Sequence, residues 1–575
     1  MKWIPNRTTA ALAAAALSCA AITAPALAAS DALTDDGSAA SRYGSYLAGR
    51  HAEAMNDLVS AAGFMARVSR EEPDNELLRE RTFLLTASAG QLARAIVLAG
   101  PLEGEGDVGV AASLVLLADN IATGNQDAAL ARLNALPESG LNRLLGPVIR
   151  AWILYGQGDG IEAAQAQLDV IRAKSGTGTV ANMHAGLLYD LAGQGADARK
   201  AFEAAMAAEE RPPFRLVQAY VSLLRRLGEA EAANATLLDY YQRNPNSELV
   251  RAELDELRSD EAGEPITRTA QDGAAEVYFG AAGGFYRQGE PQVALIFGYL
   301  ALRLRPDLEI ARFLVADILD SLGRQDEAIG IFRVIDQTSP LYWEARRRVA
   351  ESLAGLGRAD EAVTELKSLA ELRKHDPEPL NRLGDLMRVE ERWGEAVLAY
   401  RGALERIAPD DPSLWSLHYA LGIALERSQQ WEAAEELLLK SLDAQPEHPY
   451  LLNYLGYSWA DQGINLTKAR GMIERAVELR PMDGYIVDSL GWVLYQAGEY
   501  ADAVRHLERA VELRPTDPVI NDHLGDAYWQ VGRHQEARFQ WQRALSFGSD
   551  TESDATIRSK IEHGLGARSE AQSGD

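Results

Sequence analysis

Residues 484–515 read GYIVDSLGWVLYQAGEYADAVRHLERAVELRP. Leu490, Val493 and Leu494, then Val504, Leu507 and Val511, keep helical spacing on two successive stretches. Between the stretches stands Gly498, the residue that most easily takes the left-handed conformation ending a helix. Pro515 stops the second stretch, because its ring fixes φ and removes an amide donor. Gly491 and Ala503 supply the small side chains that let two antiparallel helices pack closely. The segment predicts one helical hairpin.

Working outward, the hairpin recurs. Ala282, Ala316, Ala350, Gly384, Gly422, Gly456, Gly491 and Gly525 follow one another at 34, 34, 34, 38, 34, 35 and 34 residues. A second register is all alanine: 294, 328, 362, 396, 434, 469, 503 and 537. Six of these eight units have a turn glycine between the registers: Gly289, Gly323, Gly357, Gly463, Gly498 and Gly532. The first half keeps phase more loosely, with turn glycines expected at 49, 90, 124, 158, 193 and 228, each followed five residues later by Ala. About fourteen hairpins are expected in two arrays. Gly228 and Gly289 are out of phase, which points to a joint at 257–272 between an N-terminal array over 29–256 and a C-terminal array over 273–548. Residues 549–575 read as a polar capping tail.

The period and the order of residue classes resemble the tetratricopeptide repeat (TPR). The resemblance implies an all-α solenoid of antiparallel hairpins wound as a TPR superhelix, the first helix of each hairpin lining its concave side. On the exposed stripe of those helices the last three units place Tyr450, Asn453 and Tyr457; Tyr485, Asp488, Trp492 and Tyr495; and Asp522, Asp526 and Trp529. Tyr and Trp anchor protein interfaces, so these ten residues are the expected protein-binding groove; the alternative is that several pack between neighbouring repeats. The stripe carries Asp and aromatic residues where a carboxylate clamp would need Lys, Arg and Asn, Asn453 and Asn381 excepted. A groove for an apolar or basic segment is expected.

The chain opens with features of an export leader over residues 1–28: Lys2 and Arg7, the apolar run Ala10 to Ile22, and Ala26-Leu27-Ala28 as a cleavage site. The lone cysteine, Cys19, lies inside it, either lost on cleavage or, with Leu17-Ser18 as a lipobox, the lipid anchor of an outer-membrane lipoprotein. No disulfide is then possible in the mature chain. The formal net charge of −27 argues against nucleic acid as the partner. No later stretch has the length and apolarity of a membrane span.

The chemistry expected is binding rather than catalysis. The nine histidines show no i,i+4 pairing and no cysteine companion, so no metal is expected, and no nucleophile elbow, Walker loop or dinucleotide fingerprint occurs, so neither cofactor nor enzyme is expected. His523 and His534 read as surface or interface residues. Tyr454-Leu-Gly-Tyr-Ser-Trp-Ala-Asp461, Asp488-Ser-Leu-Gly-Trp-Val-Leu-Tyr495 and His523-Leu-Gly-Asp-Ala-Tyr-Trp529 are similar to segments of bacterial periplasmic and outer-membrane-lipoprotein TPR proteins. One such protein is an adaptor that binds a carboxyl-terminal processing protease and brings cell-wall hydrolases to it. That likeness implies a periplasmic scaffold or adaptor holding other proteins. Two other readings stand beside it: a structural part of an envelope-assembly or polysaccharide-export complex, and a glycan-binding protein.

Overall fold

The computed structural model describes residues 39–565, apart from 105, 173, 175, 246, 258–262 and 549–550. The expected leader, with Cys19, and the end of the tail lie outside the described residues. Thirty α-helices and no strand are found among the described residues. The first six hairpins pair α1 (Ala39–Ala54) with α2 (Leu58–Glu71), α3 (Glu76–Ser88) with α4 (Leu92–Ala99), α5 (Asp107–Ala122) with α6 (Gln126–Ala135), α7 (Asn142–Gln157) with α8 (Ile161–Arg172), α9 (Gly178–Leu191) with α10 (Gly195–Ala207), and α11 (Phe214–Arg226) with α12 (Ala230–Arg243). A single helix, α13 (Glu248–Glu256), follows. Eight more hairpins pair α14 (Ala270–Arg287) with α15 (Pro291–Leu304), α16 (Glu309–Ser321) with α17 (Gln325–Phe332), α18 (Tyr342–Gly355) with α19 (Ala359–Leu372), α20 (Glu378–Val389) with α21 (Trp393–Leu404), α22 (Leu414–Arg427) with α23 (Trp431–Ala444), α24 (Pro449–Asp461) with α25 (Leu466–Leu479), α26 (Gly484–Gln496) with α27 (Tyr500–Leu513), and α28 (Pro518–Gln530) with α29 (His534–Phe547). Helix α30 (Thr551–His563) closes the order. The fold is the expected all-α solenoid of antiparallel hairpins.

The repeat positions do what their side chains predict. All eight alanines of the second register are fully buried. A Cβ built on Gly491 would stand 2.5 Å from Leu507, and one on Gly525 would stand 2.4 Å from Trp541, so both positions are closed to larger residues. The turn glycines of the eight-unit run have φ between 70° and 82° or 83° at the last, Gly532. Where glycine is missing, Glu391 (φ 57°) and Gln429 (φ 60°) take the same left-handed turn.

The first hairpin corrects one expectation. Gly49 is not a turn residue; it lies inside α1, where a Cβ would sit 3.1–3.3 Å from Phe64 and Met65 of the facing helix. The turn belongs to Asn56 (φ 58°), a residue type that tolerates the left-handed region. Asn56 precedes Gly90 by one full period, and Ala61, five residues on, is the fully buried alanine of this unit rather than Ala54. Gly158 is followed by a second turn glycine, Gly160, and there the buried alanine is Ala164 instead of Ala163.

The described residues form two compact units, 39–369 and 370–565. In the first, α14 is enclosed by its own chain. Residues 272–278 are buried one after another, with no solvent face. The fully buried Tyr278 donates its hydroxyl to the carbonyl of Leu114 at 3.1 Å. Gly273 meets the Trp152 ring, and Glu276, with no exposed side-chain surface, receives Arg215 of α11 (Nε 3.0 Å). Arg303 of α15 reaches Asp119 of α5 at 2.9 Å. The joint expected at 257–272 lies partly outside the described residues; the rest leads into α14, within this unit.

Candidate functional site

In the second unit the predicted stripe falls on α24, α26 and α28, and none of its ten residues is fully exposed. Asp488, Tyr495 and Asp526 are buried; the other seven are half-buried. Much of the stripe is engaged between successive hairpins.

The clearest case joins α26 to α28. Asp488 faces His523, with Nδ1 3.0 Å from Oδ2 and 3.1 Å from Oδ1. The imidazole lies flat against Trp492, centroids 4.1 Å apart, and Trp492 stacks in turn on Tyr495 at 5.0 Å. Burial works against the imidazolium, but the carboxylate of Asp488, with Asp522 and Asp526 nearby, outweighs it and raises the histidine's pKa. The last hairpin repeats the device toward α30. Lys560 reaches Asp522 at 2.8 Å and Asp526 at 2.9 Å, while the Trp541 indole donates to Asp526 at 2.9 Å. Burial works against the Lys560 ammonium, and the two carboxylates more than offset it. Trp529 packs on His534 and Trp541, under Arg538, and against Gly564 beyond α30. Residues 551–565 are therefore a docked cap.

Three stripe residues have a different setting. Tyr450, Asn453 and Tyr485 line a cavity of about 230 Å³ with Tyr419, Tyr454 and Arg514. Oδ1 of Asn453 is buried and has no hydrogen-bond partner among the described residues. The Tyr454 hydroxyl is committed to Glu426 at 3.0 Å, and burial raises the pKa values of Tyr419, Tyr454 and Tyr485. The Arg514 guanidinium lies 4.9 Å above the Tyr485 ring. A wider trough of about 410 Å³ adjoins at Tyr450, Asp483 and Arg514 and adds Arg480 and Met482. Tyr457 is half-buried and its hydroxyl is pushed up by burial and by Asp488, but it joins neither the histidine cluster nor the cavity lining.

A tetratricopeptide repeat model matches residues 347–412 and 419–483, and a TPR repeat model matches 491–532. Residues 347–412, 419–483 and 491–532 carry tetratricopeptide repeats. These repeats are protein-interaction modules, and the matched segments include eight of the ten stripe residues, with Tyr485 and Asp488 falling between 483 and 491. The chain is similar over 96 residues to the TPR repeat-containing protein PA4667 of Pseudomonas aeruginosa, with 34% identity, covering 17% of this chain and 16% of that protein. It thus spans about a sixth of the length of the curated relative it matches. Among solved structures it is similar to the APC/C hetero-tetramer Cut9-Hcn1 (15% identity, TM-score 0.35, 91% of this chain and 96% of that chain). Yeast Tom70 is also similar (12% identity, TM-score 0.34, 91% and 95%).

Arg480 and Arg514 were not among the residues singled out from the sequence. Their signal in the sequence is the repeated Leu-Arg-Pro at 479–481 and 513–515, one period apart. Among the described residues no group of three His, Cys, Asp or Glu side chains is placed to hold a metal ion, and no helix is long and apolar enough to cross a membrane.

Proposed function

We propose that this tetratricopeptide repeat protein is a non-catalytic periplasmic scaffold, holding a segment of a partner protein at the C-terminal repeats and bringing clients to an envelope protease. The cavity at Tyr450, Asn453 and Tyr485 carries the reading. It combines aromatic walls with an unpartnered buried acceptor, the pairing of apolar anchor and directional polar group that recognition sites use. The leader-like residues 1–28 support an envelope location, and the likeness of 453–545 to periplasmic adaptors supports the protease.

Crosslinked affinity purification from the native envelope, read by mass spectrometry, tests it. A carboxyl-terminal processing protease or a cell-wall hydrolase should be captured by the wild type and lost with Tyr450→Ala/Tyr485→Ala. Equal recovery of export or assembly components by both baits would sink the adaptor role and favour a structural one.

A further inference from the structure

Arginine is the commonest cation of this chain's ion pairs, yet two arginines beside the cavity stand apart. Arg480 and Arg514 are both exposed, and among the described residues neither makes an ion pair or a side-chain hydrogen bond. Their surroundings explain why. Glu447 and Glu478 are both held by Arg475, and Glu512 is held by Arg509. Asp483 and Asp517 are occupied as caps: Asp483 accepts from the amide of Tyr485, and Asp517 accepts from those of Val519 and Ile520. The local acids are therefore committed elsewhere, and two cations are left facing solvent on the rim of an aromatic cavity.

We infer that this edge of the C-terminal unit binds an acidic segment of a partner protein, an extended stretch with one aromatic or large apolar side chain flanked by carboxylates. The inference rests on the protein-binding reading above and specifies its ligand. The side chain enters the 230 Å³ cavity between Tyr450 and Tyr485. A backbone amide of the segment donates to the unpartnered Oδ1 of Asn453. The flanking carboxylates meet Arg514 over Tyr485 and Arg480 across the trough, forming charge-assisted hydrogen bonds without displacing any existing ion pair. The aspartates that suggested a basic partner cannot compete: Asp488 is taken by His523, and Asp522 and Asp526 are taken by Lys560. Charge complementarity thus runs opposite to the chain's overall sign, because it is local.

The test uses the whole chain and two fluorescein-labelled probes, Ser-Asp-Phe-Asp-Ser and Ser-Lys-Phe-Lys-Ser, titrated by anisotropy at low and high salt. The acidic probe should bind at least about tenfold tighter than the basic one, and more weakly at high salt. Arg480→Gln/Arg514→Gln, at exposed positions where folding is checked by circular dichroism, should cost the acidic probe about tenfold or more and leave the basic probe unchanged. Tyr450→Ala should weaken the acidic probe as well. Equal binding of both probes, or indifference to the arginine variant, overturns the acidic preference; if Tyr450→Ala then still abolishes binding, the protein-binding reading stands alone. Failure of the acidic probe to bind at millimolar concentration also overturns it, while capture of an envelope partner that depends on Tyr450 and Tyr485 would again leave the broader reading intact.

Discussion

His523 on α28 places its Nδ1 3.0 Å from the carboxylate of Asp488 on α26, and both side chains are more than nine-tenths buried. The pair ties one repeat to the next through an imidazole whose pKa the carboxylate holds above its ordinary value. Because the folded-state pKa is raised, its contribution is fully present below the unfolded value of about 6.5 and is lost as pH rises through the folded value. His523→Gln should therefore be less stable than wild type by about 2–3 kcal/mol in mildly acidic buffer, with the gap narrowing as pH rises. Urea unfolding across a pH series reads it; a gap that widens with pH would refute the assignment.

His184 in the first unit has the opposite sign. The Trp152 indole donates to its Nδ1 at 3.1 Å, which requires a neutral ring, and burial pushes its pKa down to about 4. Stability held by this neutral histidine is intact above about 6.5 and is lost as pH falls toward 4. His184→Phe should flatten the acid limb of the first unit's thermal transition by about 3 kcal/mol, the size of such a shift.

The turns offer a paired test of backbone geometry. Gln429→Gly removes a left-handed residue from a turn where six sister units carry glycine, and should stabilise by about 1 kcal/mol. Gly491→Ala pushes a methyl group into Leu507 and should destabilise by about 1–3 kcal/mol. Chemical denaturation of the two variants should move in opposite directions.

Lys560→Met keeps the aliphatic bulk of the cap but strands Asp522 and Asp526. A loss of about 3 kcal/mol is expected, since an uncompensated buried carboxylate is the costly half of a broken pair. Adding Asp526→Asn should recover part of it, and hydrogen exchange should show the opening confined to α28–α30.

Much of this architecture could be read from the chain because the repeat is enforced by packing: fully buried alanines and close-approach glycines leave little choice of residue. What could not be read has a local cause in each case. Gly49 and Asn56 exchange roles because glycine serves both close packing and left-handed turns, and asparagine can serve the second. Glu391 and Gln429 carry no turn signal at all. Helical spacing placed the ten stripe residues on the right helices, but their partners His523 and Lys560 lie 35 and 38 residues further along, beyond the reach of any one hairpin's pattern. Arg480 and Arg514 escaped notice because the significance of an arginine depends on which neighbouring acids are already taken.

The enclosure of α14 sets a timetable. A ribosome releases the hairpins of 39–243 long before residues 270–304, so the lining that receives Tyr278 and Gly273 stays bare until the seventh pair of helices arrives. The hydrogen bond from Tyr278 to Leu114 closes a span of 164 residues. Such a late, non-local step is slow compared with zipping neighbouring hairpins. In that interval the exposed apolar lining invites aggregation, so the newborn first unit is the part of this chain most in need of a chaperone.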